Sequence, residues 1–96
     1  MSAKIELVYF EGCPHAAEAR ARLRVALAEL AAPIEWAEWD TDVATTPEPY
    51  RRYGSPTVLV NGKDVAGGVE ASGRGCVVGG APSVATIVGA IREAGR

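Results

Sequence analysis

The chain has little of what many functional classes depend on. Among its 96 residues there are two cysteines, one histidine and only 6% aromatics. Two cysteines are too few for the disulfide scaffold that stabilises small secreted domains. A single histidine, His15, leaves no zinc-type ligand spacing with Cys13 and Cys76. Neither sign of charge dominates: ten basic and twelve acidic residues give a net charge of −2. The basic residues are scattered, which argues against a nucleic-acid partner, since that footprint requires clustered Lys and Arg. No apolar run approaches the ~18 residues of a membrane span. The segment Met1–Phe10 carries Lys4 and Glu6 and reads as a strand, not a signal peptide. The expected location is therefore the cytoplasm, where a permanent structural disulfide would be unusual. No cofactor is expected, and Gly67-Gly68 and Gly79-Gly80 are not a phosphate loop, since no Lys-Ser/Thr follows.

What is present is ordinary for a folded domain: 48% hydrophobic and 23% charged residues. The length fits one domain, 1–96, with a modest core. Lys4–Phe10 passes from alternation into a continuous apolar run, as does a strand buried on both faces. Glu11-Gly12-Cys13-Pro14 breaks it, and Pro14 suits the first position of a helix, which puts Cys13 at or beside the N-cap. Ala16, Ala19, Leu23, Ala26, Leu27 and Leu30 form the apolar stripe of that helix, and Pro33 stops it near Ala31. Ile34–Asp40 is the expected second strand, with Trp36 and Trp39 on opposite faces and hence a sheet covered on both sides. Thr46-Pro47-Glu48 predicts a short capped helix ending by Gly54. Pro56–Val60 is a third strand, Asn61-Gly62 a two-residue hairpin turn, and Lys63–Ala66 the returning strand. Gly67–Pro82 has no period and holds Cys76, and Ser83 caps a last helix with Val84, Ile87, Val88 and Ile91 inward. The fold class is α/β: a four-stranded mixed sheet flanked by helices, in the order β-α-β-α-β-β-α.

A cysteine at a helix N-terminus faces unpaired amide groups and the positive end of the helix dipole. Both favour thiolate, so the Cys13 pKa is expected below the ~8.5 of an unperturbed cysteine. Thiolate is the form that attacks disulfides and captures soft metals. The bland alternative is a small apolar side chain packed where strand meets helix. Gly54-Ser55-Pro56-Thr57 places a proline directly before a strand, a candidate cis peptide.

Taken together, Val8-Tyr9-Phe10-Glu11-Gly12-Cys13-Pro14-His15, then Gly54-Ser55-Pro56-Thr57-Val58-Leu59-Val60, then Asn61-Gly62-Lys63 resemble the thioredoxin superfamily, in that family's own order over nearly the whole chain. The resemblance implies that Cys13 is the nucleophile and that Ser55 and Pro56 form the loop that aligns a substrate. It also implies substrate contacts at Thr57, Pro14 and His15. The chain departs from the family at one point. The usual second cysteine of Cys-x-x-Cys is Ala16, in the run Cys13-Pro14-His15-Ala16. The candidate resolving thiol is then Cys76, in the glycine-rich stretch, and the competing reading is an unrelated surface thiol.

Three functions are consistent with this pattern. The first is thiol–disulfide exchange on a protein or low-molecular-weight thiol, a candidate oxidoreductase activity. The second is a soft-metal binder in which Cys13 and Cys76 hold Cu(I) or Hg(II). The third is an interaction module of the same fold without redox turnover, an alternative that Ala16 keeps open.

Overall fold

The computed structural model describes residues 4–51, 53, 55–65 and 81–94. In chain order the elements are strand β1 (Ile5–Tyr9), helix α1 (Ala16–Glu29), strand β2 (Ala37–Asp40), helix α2 (Glu48–Arg51), strands β3 (Thr57–Val60) and β4 (Lys63–Asp64), and helix α3 (Val84–Ala94). The strands form one mixed sheet in the order β2-β1-β3-β4. β1 runs parallel to β2 and antiparallel to β3, and β3 runs antiparallel to β4. The expected α/β architecture of four strands and three helices is present. The glycine-rich stretch and Cys76 lie outside the described residues, as do Gly54 and Ala66.

Alternation along β1 decides which side chains meet which layer. Leu7 lies opposite Val58 of β3, and both enter a core with Ala19, Leu23 and Ala26 of α1 and Ile87 and Val88 of α3. Both long helices therefore cover one face. Glu6 and Val8 point to the other, beside Leu59 and Thr57 of β3. Trp36 packs against the helical core. Trp39, opposite Val8, lies on the second face, where its ring stacks on Tyr50 of α2 at a centroid distance of 4.6 Å. The split of the two tryptophans and the two-sided cover follow the expected alternation.

Boundaries differ from the sequence expectation where hydrogen bonding begins late or ends early. β2 starts at Ala37, because its ladder with β1 opens at the Glu6–Ala37 pair. Ile34–Trp36 lead into it without pairing. Helix α1 ends at Glu29 in a left-handed turn: Ala31 has φ 52, while Ala31 and Ala32 donate to the carbonyls of Ala28 and Leu27. That is the two-bond helix stop normally built on glycine. Thr46, the cap that the sequence predicts for α2, is buried and its hydroxyl instead donates to the Asp40 carbonyl at 2.5 Å. Ser83 does cap α3, its Oγ accepting the Thr86 amide at 3.1 Å. The Asn61-Gly62 turn has positive φ at both residues, 52 and 82, the backbone of a type I′ hairpin. Among the described residues no helix is long and apolar enough to cross a membrane.

Candidate functional site

The site grows out of the end of β1. Past Tyr9 the chain turns through Phe10-Glu11-Gly12-Cys13, closed by the Cys13 amide donating to the Phe10 carbonyl at 3.2 Å. Gly12 has φ 89, the left-handed backbone that the third residue of a type II turn requires. A second turn follows at once, with the Ala16 amide on the Cys13 carbonyl at 3.2 Å. His15 is the N-cap of α1 and makes no side-chain cap bond. Pro14 therefore sits in the lead-in turn, not at the first helical position, and Cys13 lies two residues ahead of the cap. The shift has a local cause: the Cys13 carbonyl is occupied by a bond spanning three residues, and the Ala19–His15 bond at 3.0 Å follows it.

Ser55 meets this turn at both ends. Its Oγ accepts the Phe10 amide at 3.3 Å, and its carbonyl oxygen accepts the Cys13 thiol at 3.7 Å. Ser55 is 1% exposed and Cys13 8%, so the contact sits at the edge of the core. The Ser55–Pro56 peptide bond is cis, the isomer expected from its place before β3. Pro56 is fully buried, and Thr57 is buried in β3 opposite Val8. Five of the predicted positions, Cys13, Pro14, Ser55, Pro56 and Thr57, thus fall within two adjoining segments, Cys13–Pro14 and Ser55–Thr57.

Two influences act on the Cys13 sulfur in opposite directions. The nearby start of α1 favours thiolate, whereas a carbonyl acceptor favours the protonated thiol. His15 is half-exposed, and its Nδ1 lies 3.8 Å from Glu18 Oε1. Glu18 in turn lies 3.5 Å from Arg22, whose Nη1 donates to the Ala81 carbonyl at 2.8 Å. His15 is thus engaged along α1. Ala16 is buried.

Cys76 lies outside the described residues, so its pairing with Cys13 is not placed. Among the described residues no group of three His, Cys, Asp or Glu side chains gathers to hold a metal. The soft-metal alternative therefore rests on Cys13 with Cys76.

Several interactions near the site carry no local sequence signal. Glu6 is 2% exposed, yet its Oε2 accepts the Trp39 indole N–H at 2.8 Å and the Tyr50 hydroxyl at 2.6 Å. Lys4 Nζ lies 3.9 Å away. The Glu6 bond, followed by burial, holds the Tyr50 hydroxyl above the ordinary tyrosine value. On the opposite face of the sheet, Arg20 grips Glu38 through two bonds of 2.9 and 3.1 Å. That bond holds the Glu38 carboxyl below its usual range. Arg20 also covers the Tyr9 ring at 4.8 Å, and burial followed by the Asp40 charge raises Tyr9. Arg51 is exposed and donates to the Val43 and Ala44 carbonyls. No protein-family model, no curated protein and no solved structure matches the chain.

Proposed function

We propose that this is a small thioredoxin-like thiol protein that carries out thiol–disulfide exchange through Cys13. The observation that supports it is the Cys13 sulfur held 3.7 Å from the Ser55 carbonyl, at the junction of the strand-to-helix turn and the loop before β3. In the resemblance drawn from the sequence, those two segments are the nucleophile and the substrate-aligning loop. Ser55, Pro56 and Thr57 would line the approach from one side, and Pro14 and His15 from the other.

The reaction balances without a cofactor. Cys13 thiolate attacks one sulfur of a substrate disulfide, a new S–S bond forms, and the other sulfur leaves as a thiolate that takes up a proton. Cys13 is then held in a mixed disulfide. Buried Ala16 cannot resolve it, so the second attack comes from another thiol, either Cys76 or a low-molecular-weight thiol. That attack releases the substrate sulfur in reduced form. Such chemistry suits the reducing cytoplasm.

Turnover of a low-molecular-weight disulfide in the presence of reduced glutathione tests the reading. Cys13→Ser is expected to abolish turnover, whereas Cys76→Ser keeps it if external thiol resolves the intermediate. Full turnover by Cys13→Ser would overturn the reading. Stoichiometric Cu(I) uptake requiring both thiols, without exchange, would replace it with the metal-binding alternative.

A further inference from the structure

The carboxylate of Glu6 is the most deeply buried ionisable group among the described residues, and the exchange reaction does not use it. It lies on β1 with its side chain on the α2 face, opposite the α1–α3 core. Its Oε2 gathers the Trp39 indole, the Tyr50 hydroxyl and, at the rim, Lys4. The Trp39 and Tyr50 rings stack with only 14° between their planes, so α2 is held to the sheet by both a hydrogen bond and a ring contact. The second tie comes just after β1. Phe10, four residues past Glu6 and the first residue of the turn that follows the strand, donates its amide to Ser55 Oγ. Tyr50 is thus fastened to β1, and Ser55 to the residue that follows it. Tyr50 and Ser55 stand five positions apart in the sequence, so α2 and the carbonyl that meets Cys13 are near neighbours along the chain.

We propose that the Tyr50–Glu6 bond is a positioning device for the thiol site: by fixing α2 on β1 it keeps the Ser55 carbonyl against the Cys13 sulfur. Glu6 and Tyr50 are positioning residues, since neither touches Cys13. The inference rests on Cys13 being the reactive thiol of the proposed exchange. Its chemical consequence is specific. A carbonyl that accepts the thiol proton stabilises thiol over thiolate, so loosening α2 releases Cys13 towards thiolate.

The test is the pH dependence of iodoacetamide alkylation at Cys13 in the full chain, with Cys76→Ser as the common background. Tyr50→Phe keeps the ring stack and removes the hydroxyl. Glu6→Met removes the same bond from the strand side. Glu6→Gln keeps an acceptor oxygen while removing the charge, and so separates the bond from the field of the carboxylate. Trp39→Phe removes a different bond to the same carboxylate and leaves Tyr50 attached. Glu11, His15 and Glu18, which flank Cys13, and Lys4 beside Glu6 are the same in every variant.

Tyr50→Phe and Glu6→Met are expected to move the alkylation midpoint down, with about threefold faster reaction below it, the scale of one weak hydrogen bond. Glu6→Gln and Trp39→Phe should hold the wild-type midpoint, whatever they do to melting temperature. A midpoint unchanged in Tyr50→Phe and Glu6→Met while both melt earlier would mean the bond is structural only, and would overturn the proposal. A midpoint moved equally by Glu6→Gln would also overturn it, by assigning the effect to charge. Disulfide exchange by the same proteins is read separately. Its absence would remove the exchange reading while leaving the alkylation result to stand or fall alone.

Discussion

The Cys13 thiol and the Ser55 carbonyl meet at 3.7 Å across 42 positions of sequence. Phe10 and Ser55 make a second contact at the other end of the same turn. Together they make the strand-to-helix turn and the loop before β3 a single unit, so changes in either segment are expected to reach the sulfur.

Gly12 offers the sharpest local test of that unit. A methyl group at this position meets no neighbouring atom within 4 Å, but the backbone has φ 89. Gly12→Ala therefore strains the turn without a clash, at a cost of about 1–2 kcal/mol. Because the strain sits one residue before Cys13, the alkylation rate of Cys13 is expected to change with stability. Urea unfolding and alkylation kinetics on the same protein check both.

The helix stop at Ala31 makes a prediction of opposite sign. Ala31 occupies the left-handed position, φ 52, that glycine fills at lower cost. Ala31→Gly is expected to stabilise the protein by about 0.5–1 kcal/mol, or roughly 2–8 °C in Tm for a domain of this size. A lower Tm would show that the greater freedom of glycine in the unfolded chain outweighs the relief.

The Arg20–Glu38 pair predicts an acid-side dependence. Its hydrogen bonds hold the folded Glu38 carboxyl below 4.5, so its stabilisation is present above the unfolded value and is lost as pH falls through the folded one. The pair is partly solvated, so Glu38→Gln should lower stability at pH 7 by only about 0.5 kcal/mol. Melting curves of wild type and variant should converge below pH 4.5, where the wild-type carboxylate becomes protonated.

The Tyr50–Glu6 bond predicts the reverse. The Glu6 acceptor raises Tyr50 above 10.0, so this stabilisation is present below the unfolded tyrosine value and disappears as pH rises through the raised folded one. Tyr50→Phe is expected to cost about 1–2 kcal/mol at neutral pH, as for a hydrogen bond to a charged acceptor. Denaturant unfolding of the two proteins should show the gap closing on the alkaline side.

What could be read from the sequence was local or periodic. The α1 stripe, the Asn61-Gly62 turn, the Ser83 cap and the opposite faces of Trp36 and Trp39 follow from spacings of one to four residues. The neighbourhood of Cys13 and Ser55-Pro56 was legible because each segment carries its own turn chemistry. What remained hidden depends on partners far along the chain. Glu6 reads as the polar member of a strand alternation. Only the fold brings Trp39 and Tyr50 to it, 33 and 44 positions away. Arg22 reads as a helix-surface charge, and only the packing of α3 brings the Ala81 carbonyl within its reach. The start of α1 is ambiguous in the sequence for a different reason: Pro14 is as compatible with the lead-in turn as with the first helical position.

The most direct measurement is the fate of Cys13 in oxidised glutathione at pH 7, followed by intact mass and peptide mapping. In the Cys76→Ser protein a mixed disulfide carrying one glutathionyl group on Cys13 is expected. It should form faster than on an unstructured peptide thiol and release one equivalent of reduced glutathione. In wild type the adduct is expected to clear on addition of excess thiol. A Cys13 left unmodified while the peptide thiol reacts would contradict the account.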